Sequence, residues 1–240
     1  MRNLILSSII FIVPFSYAKE NLPMSSFGVQ LCLTSSDYVC ITVKKEDTWE
    51  KMWEDPDERD IVKRVNRTNN KLRAGMILAV PKDLENTSIW EISPFPKYIQ
   101  NSLRKLIIVD QNKLAWGIYD PRGELQWWGP ISSGRDQCSD SNRICKTVTG
   151  KYYVFDKKSI DCVSTIFPIG KGGAKMPYCM YFYRGFALHG SDDVPGYRDS
   201  HGCIRLFTED AKWLNEQYID LPSKENNFLG TKVIIKELVE

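Results

Sequence analysis

From residue 105 onward the chain is a succession of short apolar and aromatic runs with turn formers between them. The runs fall at 105–109, 114–119, 126–130, 151–155, 179–183, 186–189 and 232–238. Asp120-Pro121-Arg122-Gly123 between two of them is a hairpin turn by composition. Runs this short cannot supply a helical bundle, and their spacing predicts a mainly β fold, a sandwich or barrel-like core. One helix interrupts the pattern. Ala211, Leu214 and Tyr218 recur at helical spacing behind Thr208, a suitable N-cap. That helix is expected to brace the segment before it.

Seven cysteines narrow the choice further. Met1-Arg2, an apolar run over 4–15 and Ser16-Tyr17-Ala18 have the layout of a secretory signal peptide over 1–18. The mature chain is then expected outside the cytoplasm, with no transmembrane segment and with its cysteines oxidised. An odd number leaves one thiol over, and Cys203 is the candidate because of its neighbours. The other six can pair in many ways. The nearest-neighbour expectation is Cys32–Cys40, Cys138–Cys145 and Cys162–Cys179. Of 32 Lys and Arg only Arg2 lies in the leader, leaving 31 against 30 Asp and Glu. So balanced a surface has no field to draw nucleic acid.

Both histidines of the chain lie shortly before Cys203, at 189 and 201. His189-Gly190 ends an apolar run, Phe186-Ala187-Leu188, and Ser200-His201-Gly202-Cys203-Ile204-Arg205 follows a loop rich in turn formers. A thiol and an imidazole brought together by that loop are an acyl-transfer pair: the base takes the proton and the thiolate attacks a carbonyl. The N–H groups of Gly202 and Cys203 are candidates for an oxyanion hole. Arg205 is a candidate partner for a substrate carboxylate. Cysteine and two histidines can also be read as three zinc ligands, but the nearby Asp192, Asp193 and Asp199 are more simply solvated loop carboxylates than a fourth ligand. The Cys203 chemistry needs neither metal nor organic cofactor.

H-G, a loop, then S-H-G-C-I-R resembles the signature of the L,D-transpeptidases, the YkuD-type cysteine enzymes of bacterial cell walls. Thr149-Gly150-Lys151-Tyr152, Met176-Pro177-Tyr178 and the closing strand Gly230-Thr231-Lys232-Val233 resemble that family too, so the likeness covers about 103–238. It implies that His189 is the general base, Cys203 the nucleophile and His201 a supporting group. It places Met176, Tyr178, Arg184, Gly185, Ser191, Ser200 and Arg205 on the substrate side. The implied substrate is a peptidoglycan stem peptide that loses D-Ala. The acceptor is a second stem peptide, a free D-amino acid or the lysine of a wall-anchored protein. Water in that place gives an L,D-carboxypeptidase or endopeptidase, and a wall-binding protein without catalysis is the third reading. The implied address is the periplasm.

Residues 38–81 form a separate unit: a strand, a helix capped by Asp47 or Thr48, a second helix marked by Ile61, Val62 and Val65, and a strand ending at Pro81. This βααβ unit resembles a lysin-motif (LysM) domain through Asp47-Thr48, Asn66 or Asn69, and 72–81, with Glu46 where that pattern has glycine. Such a likeness implies binding to peptidoglycan glycan, or a spacer packed on the catalytic domain. The proline-bearing stretch 82–102 reads as a linker. Trp127-Trp128 reads as strand core in preference to a sugar platform. The glycine-rich 169–175 reads as a flap leading to Met176.

Overall fold

The structure, a computed structural model, describes residues 26–100, 103–138, 142–165 and 174–239. The signal-peptide expectation and most of the flap at 169–175 lie outside them. In chain order the elements are α1 (Phe27–Thr34), β1 (Tyr38–Thr42), α2 (Trp49–Met52), α3 (Pro56–Val65) and β2 (Ile77–Pro81). Then come β3 (Leu106–Asp110), β4 (Ala115–Tyr119), β5 (Leu125–Ser132), β6 (Gly150–Tyr153), β7 (Asp156–Lys157), β8 (Met180–Tyr183) and β9 (Phe186–Gly190). β10 (Ile204–Leu206), α4 (Thr208–Trp213), a 3-10 turn (Lys224–Asn226) and β11 (Lys232–Ile235) follow among the described residues. All three expected disulfides are formed, and Cys203 is the free cysteine.

Nine strands form one sheet in the order β6-β11-β3-β4-β5-β10-β9-β8-β7. The two edge strands, β6 and β7, are separated in the chain only by Val154 and Phe155. Val154 N–H donates to Thr231 at 2.9 Å on one side, and Phe155 N–H donates to Tyr181 at 2.9 Å on the other. A chain can step between opposite edges in two residues only if those edges have been brought together. Of the two expected architectures, the sandwich of two separate sheets is therefore corrected in favour of the barrel-like one, a single sheet curled toward closure, which leaves little free edge to pair with another chain. Its interior is filled from both halves. Ile107, Val109, Trp116 and Ile131 meet Met180, Leu188, Ile204 and Leu206, and all but Val109 are among the largest fully buried side chains.

Local sequence chemistry explains most element ends. Gly123, at φ +85°, closes the turn with its N–H on Asp120 at 3.0 Å, where a left-handed residue is needed and glycine bears it without strain. The Asp120 carboxylate accepts from the Arg122 and Glu124 N–H groups, both at 2.9 Å. Helix α4 does pack on β9 behind the Cys203 segment, but its N-cap is Phe207. Thr208 is already helical, and its hydroxyl turns to Asp192 at 3.2 Å. Past Trp213 the helix widens into a π-helical turn over Leu214–Tyr218.

The N-terminal module has its own small core around Trp49, Trp53, Val62, Leu72 and Leu78. β1 and β2 pair antiparallel from Tyr38 with Pro81 to Thr42 with Ile77. Thr48 caps α2 through the Lys51 N–H, and Asp55 caps α3 ahead of Pro56. The buried Asn66 amide joins α3 to β2 by donating to Val62 and Ala79 carbonyls and accepting the Ala79 N–H. The module is clamped to the sheet by Arg64, whose guanidinium meets Asp210 twice, at 2.9 and 2.8 Å, and the Trp128 carbonyl at 3.0 Å. Residues 82–100 carry no helix or strand but are fixed against β5 and the β4–β5 turn. Ile89 accepts from Trp128 Nε1 at 2.8 Å, and Ile99 N–H donates to Gly123 at 2.9 Å. Trp128 is fully buried, as its core reading requires.

Candidate active site

Strands β9 and β10 run parallel, pairing Leu188 with Ile204, His189 with Arg205 and Gly190 with Leu206. The intervening loop therefore carries the chain back to the same end of the sheet. Side chains alternate along a strand, so Leu188, Ile204 and Leu206 enter the core while His189 and Arg205 share the opposite face. Cys203 stands two residues before Arg205 and on that same face. Together with His201 and Met176 these side chains line a cavity of about 270 Å³.

His189 is buried, and its Nδ1 lies 2.9 Å from the Gly190 carbonyl. A carbonyl only accepts, so Nδ1 carries the proton and Nε2 is left as the base. Burial pulls the imidazole down to about 4; the Gly190 hydrogen bond opposes this and the Arg205 charge adds to it. Burial pushes the Cys203 thiol up, against opposing pulls from the Ala187 backbone and Arg205. The thiol faces the Gly185 carbonyl at 3.7 Å. These shifts favour a neutral thiol and a neutral imidazole at rest.

The turn before Cys203 is fixed from within. Ser200 Oγ accepts the Gly202 N–H at 3.0 Å and donates to the Cys203 carbonyl. Thr147 Oγ1 donates to the Gly202 carbonyl at 2.8 Å and accepts the Gly134 N–H at 2.8 Å. Gly202 has φ +122°, and a Cβ there would stand 2.9 Å from Phe186, so both backbone shape and space demand glycine.

Several expected site residues are placed differently. The Gly202 N–H is engaged by Ser200, so of the two expected oxyanion amides it is not open to a ligand. Ser200 is buried with its hydroxyl used in the turn. It shapes the site without offering that hydroxyl to a substrate. Arg205 lines the cavity but already meets Asp193 at 2.7 Å, and a substrate carboxylate has to compete with it. Tyr178 belongs to the main core, while Met176 beside it does reach the cavity. Arg184 is exposed and lies 5.3 Å from the Tyr183 ring, away from the cavity lining. Gly185 and Ser191 line the cavity.

Three contributors were not legible from the motif. Thr147 is 55 positions from the carbonyl it holds. Asp193 reads as a solvated loop carboxylate until Arg205 is seen against it. Tyr181 lies close enough for Cys203 to raise its pKa, after the larger effect of burial, and its hydroxyl is 3.7 Å from Cys162 Sγ. Only the alternation of β8 hints that Tyr181 faces this way.

A thiol at the turn leading into β10 and a deprotonated imidazole nitrogen on β9, over one cavity of a curled sheet, are the groups that cysteine acyl transfer requires. Residues 104–235 match the YkuD family, the L,D-transpeptidase catalytic domain, and the chain belongs to that family. A probable L,D-transpeptidase, YbiS of Escherichia coli K12, is 33% identical over 88 residues, covering 32% of this chain and 29% of that protein. Its counterpart from Escherichia coli O6:H1 matches equally. The chain thus spans less than a third of the length of these curated relatives. Among solved structures, the L,D-transpeptidase fragment 123–326 of Xylanimonas cellulosilytica superposes with a TM-score of 0.51 at 22% identity. That superposition covers 69% of this chain and 73% of the other, which supports the fold.

Proposed function

We propose that this protein is a peptidoglycan L,D-transpeptidase working through a thioester on Cys203. The observation that carries the reading is the placement of His189 and Cys203 on one strand face over a cavity, inside the matched family domain. His189 Nε2 takes the thiol proton as Sγ bonds to the carbonyl carbon of the donor's L,D peptide bond. The Cys203 N–H is the remaining amide candidate for the oxyanion, and His201 supports the site. The tetrahedral intermediate collapses to the thioester, and the proton passes from His189 to the departing D-Ala amine. An acceptor amine then attacks the thioester and returns the thiol. Stem peptides are the donor class, and the acceptor is a second stem peptide, a D-amino acid or a wall-anchored protein.

Residues 38–81 are read as a LysM-like module that touches glycan. The strand-helix-helix-strand order supports this, as does Asn66 at the centre of the module. So does Glu46, whose φ of +74° is the backbone shape expected where the pattern carries glycine. Residues 1–18, read as a signal peptide cut after Ala18, would direct the chain to the periplasm, where the three disulfides are favoured.

The test is mass spectrometry of wild type and Cys203→Ala protein with disaccharide-tetrapeptide. A crosslinked dimer lacking one D-Ala, formed by wild type alone, is the expected result. Tripeptide without dimer would move the assignment to a carboxypeptidase. Turnover by Cys203→Ala would remove Cys203 from the mechanism.

A further inference from the structure

The loop joining the two catalytic strands is held largely by the N-terminal module. Asn69 makes three hydrogen bonds to it. Its N–H donates to the Val194 carbonyl at 3.2 Å, its Oδ1 accepts the Val194 N–H at 3.0 Å, and its Nδ2 donates to the Ser191 carbonyl at 2.8 Å. Asn70 Nδ2 donates to Asp193 Oδ1 at 2.9 Å. Further along, Thr68 bridges Pro195, and the Phe27 N–H donates to Gly196 at 2.8 Å. A Cβ on Gly196, whose φ is +85°, would stand 2.9 Å from the Asn66 carbonyl, so the loop lies directly against the module.

The far side of the same loop lines the catalytic cavity through Ser191 and Asp193, and Asp193 holds Arg205 at 2.7 Å. His189 is set by strand pairing and Cys203 by the Ser200–Thr147 turn that leads into β10, whereas the loop between them takes much of its shape from another part of the chain. We propose that Asn69 is a positioning residue for the active site, fixing the substrate-facing loop and, through Asp193, the Arg205 guanidinium. The module then braces one wall of the donor site, the Ser191–Asp193 side, as well as being attached to the sheet. This rests on the Cys203 acyl-transfer reading for its kinetic arm only.

The consequence is a split between substrate capture and thiol chemistry. Asn69→Ala removes two side-chain bonds to the loop, and Asn70→Asp sets a carboxylate against Asp193 without touching Asn69. Both are made in the full chain. Hydrogen exchange of peptides covering 191–199 should speed up about tenfold in Asn69→Ala, the loss of one to two net hydrogen bonds. KM for disaccharide-tetrapeptide should rise about tenfold in both variants with kcat within about twofold, the pattern of lost uniform binding. Alkylation of Cys203 by iodoacetamide should keep the wild-type rate, because the strand that carries His189 and the turn that carries Cys203 are undisturbed.

Unchanged exchange with unchanged KM would overturn the assignment. So would alkylation slowed in step with turnover, which would mean that the whole site had loosened. If wild type fails to turn over the tetrapeptide, the proposed function fails there, and the exchange measurement still decides the role of Asn69.

Discussion

The N-terminal module and the curled sheet use polar residues in opposite ways. The sheet aims His189, Cys203 and Arg205 at a cavity and keeps apolar side chains on the reverse face of the same strands. The module keeps apolar residues for its own core and aims its buried polar groups, Arg64, Asn66 and Arg67, at neighbouring backbone and charge. Arg67 meets the Lys113 and Arg64 carbonyls and the ring faces of Phe27 and Trp128. Apolar contact tolerates sliding, but a bidentate guanidinium–carboxylate pair accepts one geometry. The difference teaches that the module's contacts specify an orientation for the part of the sheet that carries the site.

The sharpest way to break that comparison is at Arg64. Replacing it by Met leaves the Asp210 carboxylate buried without its cation and should cost about 3–5 kcal/mol in urea unfolding. Because an ion pair of this kind also bears a desolvation cost, Arg64→Met with Asp210→Leu should regain much of the loss. A single variant less than about 1 kcal/mol below wild type would mean that the module is only loosely attached.

Next in size is an acid effect that belongs to the sheet alone. An unfolded chain's histidine takes its proton near pH 6.5, whereas folded His189 resists until about 4. Between those values the unfolded state binds more protons, so stability falls as pH drops through the window, by at most about 3 kcal/mol. The melting temperature of wild type should therefore fall from pH 7 to pH 5 by more than that of His189→Gln. Equal falls in the two proteins would place the acid sensitivity elsewhere. The same depressed value keeps Nε2 available as a base across this range.

What could be read in advance follows the range of the interactions. Periodic runs, turn formers, short disulfide loops and the S-H-G-C-I-R segment are local, and the strands, the Asp120 turn, the three disulfides and the His189–Cys203 juxtaposition all followed from them. Helix α1 carries no clear amphipathic stripe and was missed. β10 has three residues, too few to show a period. The committed amide of Gly202, the Asp193 partner of Arg205 and the inward turn of Tyr178 depend on contacts made across the fold. Closure of the sheet depends on what Val154 and Phe155 pair with, which no local pattern records.

The smallest effect tests the comparison most finely. Thr48 caps α2 by accepting the Lys51 N–H at 3.3 Å, at the edge of the module and away from the sheet. Thr48→Ala should remove about 1 kcal/mol. If module and sheet unfold together, that loss lowers one shared melting transition by about 2–4 °C, the shift expected for a chain of this size. Differential scanning calorimetry with Cys203 alkylation on the same samples can follow both regions. A second transition moving alone would show that Arg64 and Asn69 hold two independently melting units together. One transition moving as a whole, with alkylation at 25 °C unchanged, would show that a defect in the module reaches the sheet through stability while the thiol site keeps its local geometry.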